Sequence, residues 1–171
     1  EMCIRDSPYA VYLDEGGDPG SLEPVRDKMA AVQDEGSQLI ARAVAELDVD
    51  NDNGRWLDLC AGPGGKATLM GSLASIDGAH VDAVEVSATR ADLIRKSTDG
   101  MPVTVHVADG RDPGLEPGFD RVLVDAPCSG LGALRRRPEA RWRKSEDDIA
   151  ELNELQSELL ASAVNLSLIH I

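Results

Sequence analysis

Arg55-Trp56-Leu57-Asp58-Leu59-Cys60-Ala61-Gly62-Pro63-Gly64-Gly65-Lys66 reads as a buried strand that breaks into a glycine-rich turn. Glycines at such a break allow positive φ and let backbone N–H groups come close to a ligand. Leu69, Met70 and Leu73 then resume at helical spacing, so the turn opens a helix. The same rhythm continues outward. His80–Val86 alternates as a second strand, and Ser87 stands where it can cap a helix holding Leu93 and Ile94. Pro102–Val107 and Phe119–Val124 read as third and fourth strands. Upstream, a helix is expected over Val32–Leu47 with Leu39, Ile40, Ala43, Val44 and Leu47 on one face. Downstream, a capping box at Ser145 and Asp148 starts a helix with Ile149, Leu152, Leu155, Leu159, Ala163 and Leu166 on its apolar side. Strands alternating with helices give an α/β fold, a doubly wound and mostly parallel sheet.

The 171 residues suffice for one domain with one core. Apolar residues make up 42% and charged ones 28%, the balance of a globular protein. Aromatics are scarce, so the core must rest on Val, Leu, Ile and Ala. No apolar run reaches ~18 residues, and the first residues lack a secretory leader. Cys3, Cys60 and Cys128 fit neither a disulfide framework nor paired zinc ligands. A cytoplasmic protein without metal is expected.

The net charge is −14, which argues against non-specific nucleic-acid binding by the whole surface. One window departs from it. Arg135, Arg136, Arg137, Arg141, Arg143 and Lys144 oppose the single acid Glu139, so this stretch carries +5 and the rest −19. A positive island on an acidic body points to a local site, such as a clamp on RNA phosphates with Trp142 to stack or anchor.

Two ligand-binding patterns and a plain turn compete for this stretch. A Walker A loop fails, because Cys60 stands where it needs Gly and Ala67 replaces the magnesium-binding hydroxyl. The dinucleotide pattern GxGxxG/A is met by Gly62, Gly64 and Ala67, with Glu85 near the distance of a ribose carboxylate. A plain strand–helix turn satisfies the same letters. Asp109, closing the third strand, would face the same crevice as Glu85. After the fourth strand, Asp125-Ala126-Pro127-Cys128-Ser129-Gly130 sets a cysteine in a Pro/Gly-punctuated loop at a strand's carboxyl end.

DLCAGPGGK, VEVSATR, VADGRD, VDAPCSGLG, RRRPEARW and upstream VQDEGSQ together resemble the RsmB/Sun/Nop family of RNA 5-methylcytosine methyltransferases. The resemblance covers nearly all of Pro8 to Leu166, in the family's order, with Gly62 where many members have Ala. It implies a Rossmann-like class I fold of strand order 3-2-1-4, S-adenosylmethionine as donor and a cytosine in ribosomal RNA as acceptor. Cys60, Ala61, Gly62, Pro63, Gly64, Gly65 and Lys66 would cradle the donor's amino-acid part, Glu85 its ribose and Asp109 its adenine. Asp125 would lie between donor and target base, and Cys128 would serve product release. The attacking cysteine of the family lies in a Thr-Cys motif on a later strand, so this chain is expected to lack it and to be inactive alone.

Glu1–Ser7 and Ser167–Ile171 resemble adapter-derived translations. The expected organisation is a linker or extension over 1–30, a truncated catalytic domain over 31–166 and a foreign tail over 167–171. The whole protein is expected to be a monomer. Two other classes remain open, a donor- or RNA-binding module without catalysis and a nicotinamide-dependent oxidoreductase.

Overall fold

Four strands pair in parallel in the order β3-β2-β1-β4, as expected, with β1 at Arg55–Asp58, β2 at His80–Glu85, β3 at Val103–Val107 and β4 at Arg121–Leu123. The structure, a computed structural model, describes residues 17–27, 29–130, 132 and 147–168. Helix α1 (Glu23–Arg26) and helix α2 (Glu35–Ala45) precede the sheet. Helix α3 (Gly65–Asp77) crosses from β1 to β2, and helix α4 (Ala88–Ser97) from β2 to β3. Between β3 and β4 the chain returns as a loop, and helix α5 (Asp147–Leu166) follows.

Period-2 alternation along each strand splits the core into two layers. Trp56 and Val81 point to the face covered by Ala41 and Ala45 of α2 and Met70 and Ala74 of α3. Leu57 and Val84 point to the other, against Leu159, Ala163 and Leu166 of α5. Burial on both faces is why consecutive residues of β1, Trp56 and Leu57, are both apolar.

Three expectations need correction. Helix α2 is shorter than Val32–Leu47, and Leu39, Ile40 and Leu47 on its expected inner face are about half exposed. Its buried contacts are Ala41 and Ala45, small side chains that let the helix approach α3 closely. The Arg121 guanidinium bonds the carbonyls of Val44 and Ala45 at the helix end and Asp52 Oδ2 at 2.5 Å, which fixes this orientation. Ser87 does hold the N-cap position of α4, but its side chain makes no capping bond. Its backbone N–H instead donates to Glu85 Oε1 at 2.7 Å. In α5, Ile149 is exposed whereas Leu159, Ala163 and Leu166 are buried; Ser145 lies outside the described residues.

β4 forms one edge of the described sheet. Its approach is covered, because Phe119 bridges Ser167 in parallel and the Leu168 N–H donates to the Phe119 carbonyl at 2.9 Å. The remaining edge, Val122, Leu123 and Val124, is apolar, and all three side chains take part in the packing of the core.

Parallel pairing brings all strand ends to one side of the sheet. Asp58, Glu85, Asp109 and Asp125 therefore border the crevice where ligands of such sheets bind.

Candidate functional site

The turn after β1 runs through a cis Gly62–Pro63 bond to Gly64, whose φ of +118° only glycine adopts freely. A Cβ on Gly64 would meet Ser97 Oγ at 3.1 Å and Ile94 Cα at 3.3 Å. This glycine thus serves the packing of the turn against α4. Gly65 starts α3, so the free N–H groups of the helix face the crevice.

Beside the turn lies a cavity of ≈ 220 Å³. Cys60–Pro63, Gly65, Lys66 and Asp125 line it, as the sequence leads one to expect. Lys66 Nζ pairs with Asp125 Oδ2 at 2.6 Å and lies 3.4 Å from Ser37 Oγ. Asp125 is half exposed, so this pair contributes little to stability and holds the lysine at the mouth.

Glu85 is 5% exposed and reaches the turn from β2. Its Oε1 accepts from Arg90 at 2.7 Å as well as from Ser87, while its Oε2 lies 1.9 Å from where a Cβ of residue 62 would sit. Gly62 therefore leaves room for a glutamate that an alanine would displace. Asp109 accepts both a backbone and a bidentate side-chain bond from Arg111, which holds its carboxyl down at about 2. Arg111 also reaches Glu158 of α5 at 3.0 Å, tying the end of β3 to the far layer.

Cys60 is half-buried, and burial followed by the charges of Asp58, Glu85, Asp125 and Asp109 pushes its thiol up to about 11. It is a packing residue beside the cavity and a poor nucleophile at neutral pH. Cys128 is exposed and is not part of the cavity lining. Its loop is anchored to α5, where Gln156 Nε2 donates to the Pro127 carbonyl at 2.7 Å. Arg135, Arg136, Arg137, Arg141, Arg143 and Lys144 lie outside the described residues.

Sequence reasoning missed Asp58, Gln33, Asp34 and Ser37, which also line the cavity. Asp58 is 1% exposed, and among the described residues its carboxylate oxygens meet no donor in full hydrogen-bond geometry, the Cys60 N–H interacting only weakly. Burial pushes its pKa up to about 7, although the Lys66 charge and the Cys60 N–H pull the other way. The available signal is a charged residue inside an apolar strand. Gln33, Asp34 and Ser37 sit in the VQDEGSQ segment, which carries part of the family resemblance without an assigned role.

The fit of Gly62 to Glu85 gives a direct prediction. Gly62→Ala should fold, because the atom it meets ends a flexible side chain, yet it should displace the carboxylate from the crevice. Loss of one hydrogen-bonded carboxylate weakens ligand binding by ~1–3 kcal/mol, and Glu85→Ala should cost a similar amount. Shortening the partner in Gly62→Ala/Glu85→Asp should recover most of the loss. A calorimetric double-mutant cycle reads this coupling, and additive losses would mean that the two residues act separately.

The 16S rRNA methyltransferase RsmB/F family model matches residues 44–168. The chain is 61% identical over 163 residues to a Mycobacterium tuberculosis protein whose name calls it a methyltransferase, covering 95% of this chain and 35% of that one. It is 40% identical over 160 residues to the ribosomal RNA small subunit methyltransferase B of Salmonella arizonae, covering 91% and 36%. Among solved structures, NSun6 from Pyrococcus horikoshii with SFG superposes with a TM-score of 0.73 at 25% identity, covering 86% of this chain and 38% of that one. The chain thus spans about a third of the length of the curated relatives it matches. With the strand order, the glycine turn and the strand-end carboxylates in place, the match over 44–168 identifies this chain as a member of the RsmB/F methyltransferase family.

Proposed function

We propose that this chain is the donor-binding part of a ribosomal RNA methyltransferase that uses S-adenosylmethionine and forms 5-methylcytosine. The observation that carries this reading is the crevice itself. A glycine turn at a helix start and a lysine–aspartate pair line its cavity, and the carboxylates of Glu85 and Asp109 border it at the ends of β2 and β3, in a family of rRNA methyltransferases. Their chemistry suits the donor. Glu85 can accept from ribose hydroxyls, Asp109 borders the adenine end, and the turn N–H groups with Lys66 meet the amino-acid end.

Carbon 5 of cytosine is a weak nucleophile. In the proposed route a cysteine thiolate adds to carbon 6, and carbon 5 then takes the methyl group as the donor's sulfonium becomes a thioether. A base removes the carbon 5 proton, and the thiolate is expelled. The target base must leave its stack to be reached. Asp125, with Lys66, would stand between donor and base, and Cys128 would assist release. Burial and the surrounding carboxylates raise the Cys60 thiol, which disfavours it as the attacking thiolate.

The basic stretch from Arg135 to Lys144 is proposed as the RNA-binding segment, in a cytoplasmic protein. Changing Arg135, Arg136 and Arg137 to Ser should flatten the salt dependence of binding to single-stranded RNA, by ~0.7 in log–log slope for each phosphate that is no longer neutralised. An unchanged slope would remove the stretch from the interface. The reading as a whole is tested by titrating the chain in parallel with S-adenosylmethionine and NAD. Binding of the first alone is expected, and preference for NAD would reverse the assignment.

A further inference from the structure

Beyond Leu123 the chain leaves the β ladder and runs as an irregular loop through Asp125, Pro127 and Cys128. Cys128 is exposed, so burial does not hold it in place. Side chains from two helices hold the residues just before it. Lys66 of α3 pairs with Asp125 at 2.6 Å, and Gln156 of α5 donates through Nε2 to the Pro127 carbonyl at 2.7 Å. These helices cover opposite faces of the sheet, so the loop is gripped from both sides. Gln156 stands on a fixed base, because Leu155 and Leu159 of its own helix join the core cluster that also takes in Val124 and Ala126.

The bond from Gln156 falls where it decides the direction of the cysteine. The pyrrolidine ring already restricts φ of Pro127. The remaining freedom of that residue is ψ, which swings its carbonyl and the following N–H together as one planar unit. Holding the carbonyl therefore fixes the plane of the Pro127–Cys128 peptide and the direction in which the chain enters Cys128. Docking of α5 does not require this bond, since Leu159, Ala163 and Leu166 already bury the helix against the sheet.

We infer that Gln156 is a positioning residue for the methyl transfer, aiming Cys128 at the target base through the Pro127 carbonyl. It acts through the loop and touches neither donor nor base. The thiol can then stay open to RNA while the main chain that carries it is held still. The inference rests on the reading above in which Cys128 assists release of the product.

The test uses the full chain, Gln156→Met, which keeps the length without a donor, and Gln156→Lys, which restores an N–H donor. The probe is a single-stranded RNA carrying a bromoacetamide on carbon 5 of its one cytosine. A Cys128 thiolate displaces bromide from it and forms a thioether, at a rate that depends on aim. Free iodoacetamide reacts with the same thiol without that constraint, so the ratio of the two rates separates position from reactivity. The ratio should fall about 10-fold in Gln156→Met and stay within about 3-fold of the parent in Gln156→Lys. Affinity for S-adenosylhomocysteine should be the same in all three, which reports an intact fold. An unchanged ratio in Gln156→Met, or an equal fall in Gln156→Lys, would overturn the role of Gln156 and leave that of Cys128 standing. No RNA-directed labelling of Cys128 in the parent would remove this cysteine from the target-base site, and the inference with it.

Discussion

Replacing Asp58 by asparagine is expected to abolish much of the stability that the ligand-free chain loses between pH 4 and pH 7. The folded-state pKa of Asp58 is pushed up to about 7 from 3.8, chiefly by burial. Between those values the folded state holds a proton that the unfolded state has released, so stability falls as pH rises. The fall is complete above pH 7 and absent below pH 4. A difference of that size corresponds to about 4 kcal/mol, which Asp58→Asn should remove from the pH profile. An asparagine amide unpaired in the same place costs ~1–3 kcal/mol at every pH, so the informative quantity is the slope and not the offset. Denaturant melts of parent and variant at pH 4 and pH 8 measure it. Parallel profiles would mean that the carboxylate is paired in the ligand-free protein.

The buried state of Asp58 is also why the site is only partly visible in the sequence. The strands, the glycine turn and the carboxylates of Glu85, Asp109 and Asp125 are legible because they follow from period-2 alternation and from parallel strands ending together, whereas the strand order is implied by the family resemblance. Asp58 is not. It reads as one polar position in a strand, and its distinguishing property is deep burial without a well-formed hydrogen bond among the described residues. Gln33 reaches the cavity from a segment far upstream of the turn, a proximity that no local periodicity encodes. The orientation of α2 departs from its sequence pattern for a related reason. Periodicity weighs Leu39, Ile40 and Leu47 heavily, but close approach to α3 selects Ala41 and Ala45. The closeness of Glu85 to Gly62 likewise depends on how the turn folds back on β2, which the spacing of the two residues does not reveal.

A second large effect is expected at the cysteines. At pH 8 a thiol pushed up to about 11 is thiolate in roughly one molecule in a thousand, so Cys60 should resist alkylation. Cys128 is exposed and free of that burial. Iodoacetamide should modify Cys128 at least ~100-fold faster than Cys60, as read by mass spectrometry of the two peptides. Saturating S-adenosylhomocysteine should slow Cys60 further and leave Cys128 unchanged, because Cys60 lines the cavity and Cys128 does not. Comparable rates at the two sites would show Cys60 to be an accessible thiolate, and it would return as a candidate nucleophile.

The crevice at the carboxyl ends of β1, β2 and β3 is central to the proposed function, as the place where the donor binds. The most direct measurement follows backbone amide chemical shifts while S-adenosylhomocysteine is added to the chain. The largest changes are predicted at Ala61–Lys66, at Ser87, whose N–H is held by Glu85, and at Arg111, whose N–H is held by Asp109. Largest changes confined to α5 and the loop before β4, or none at saturating ligand, would contradict donor binding in this crevice.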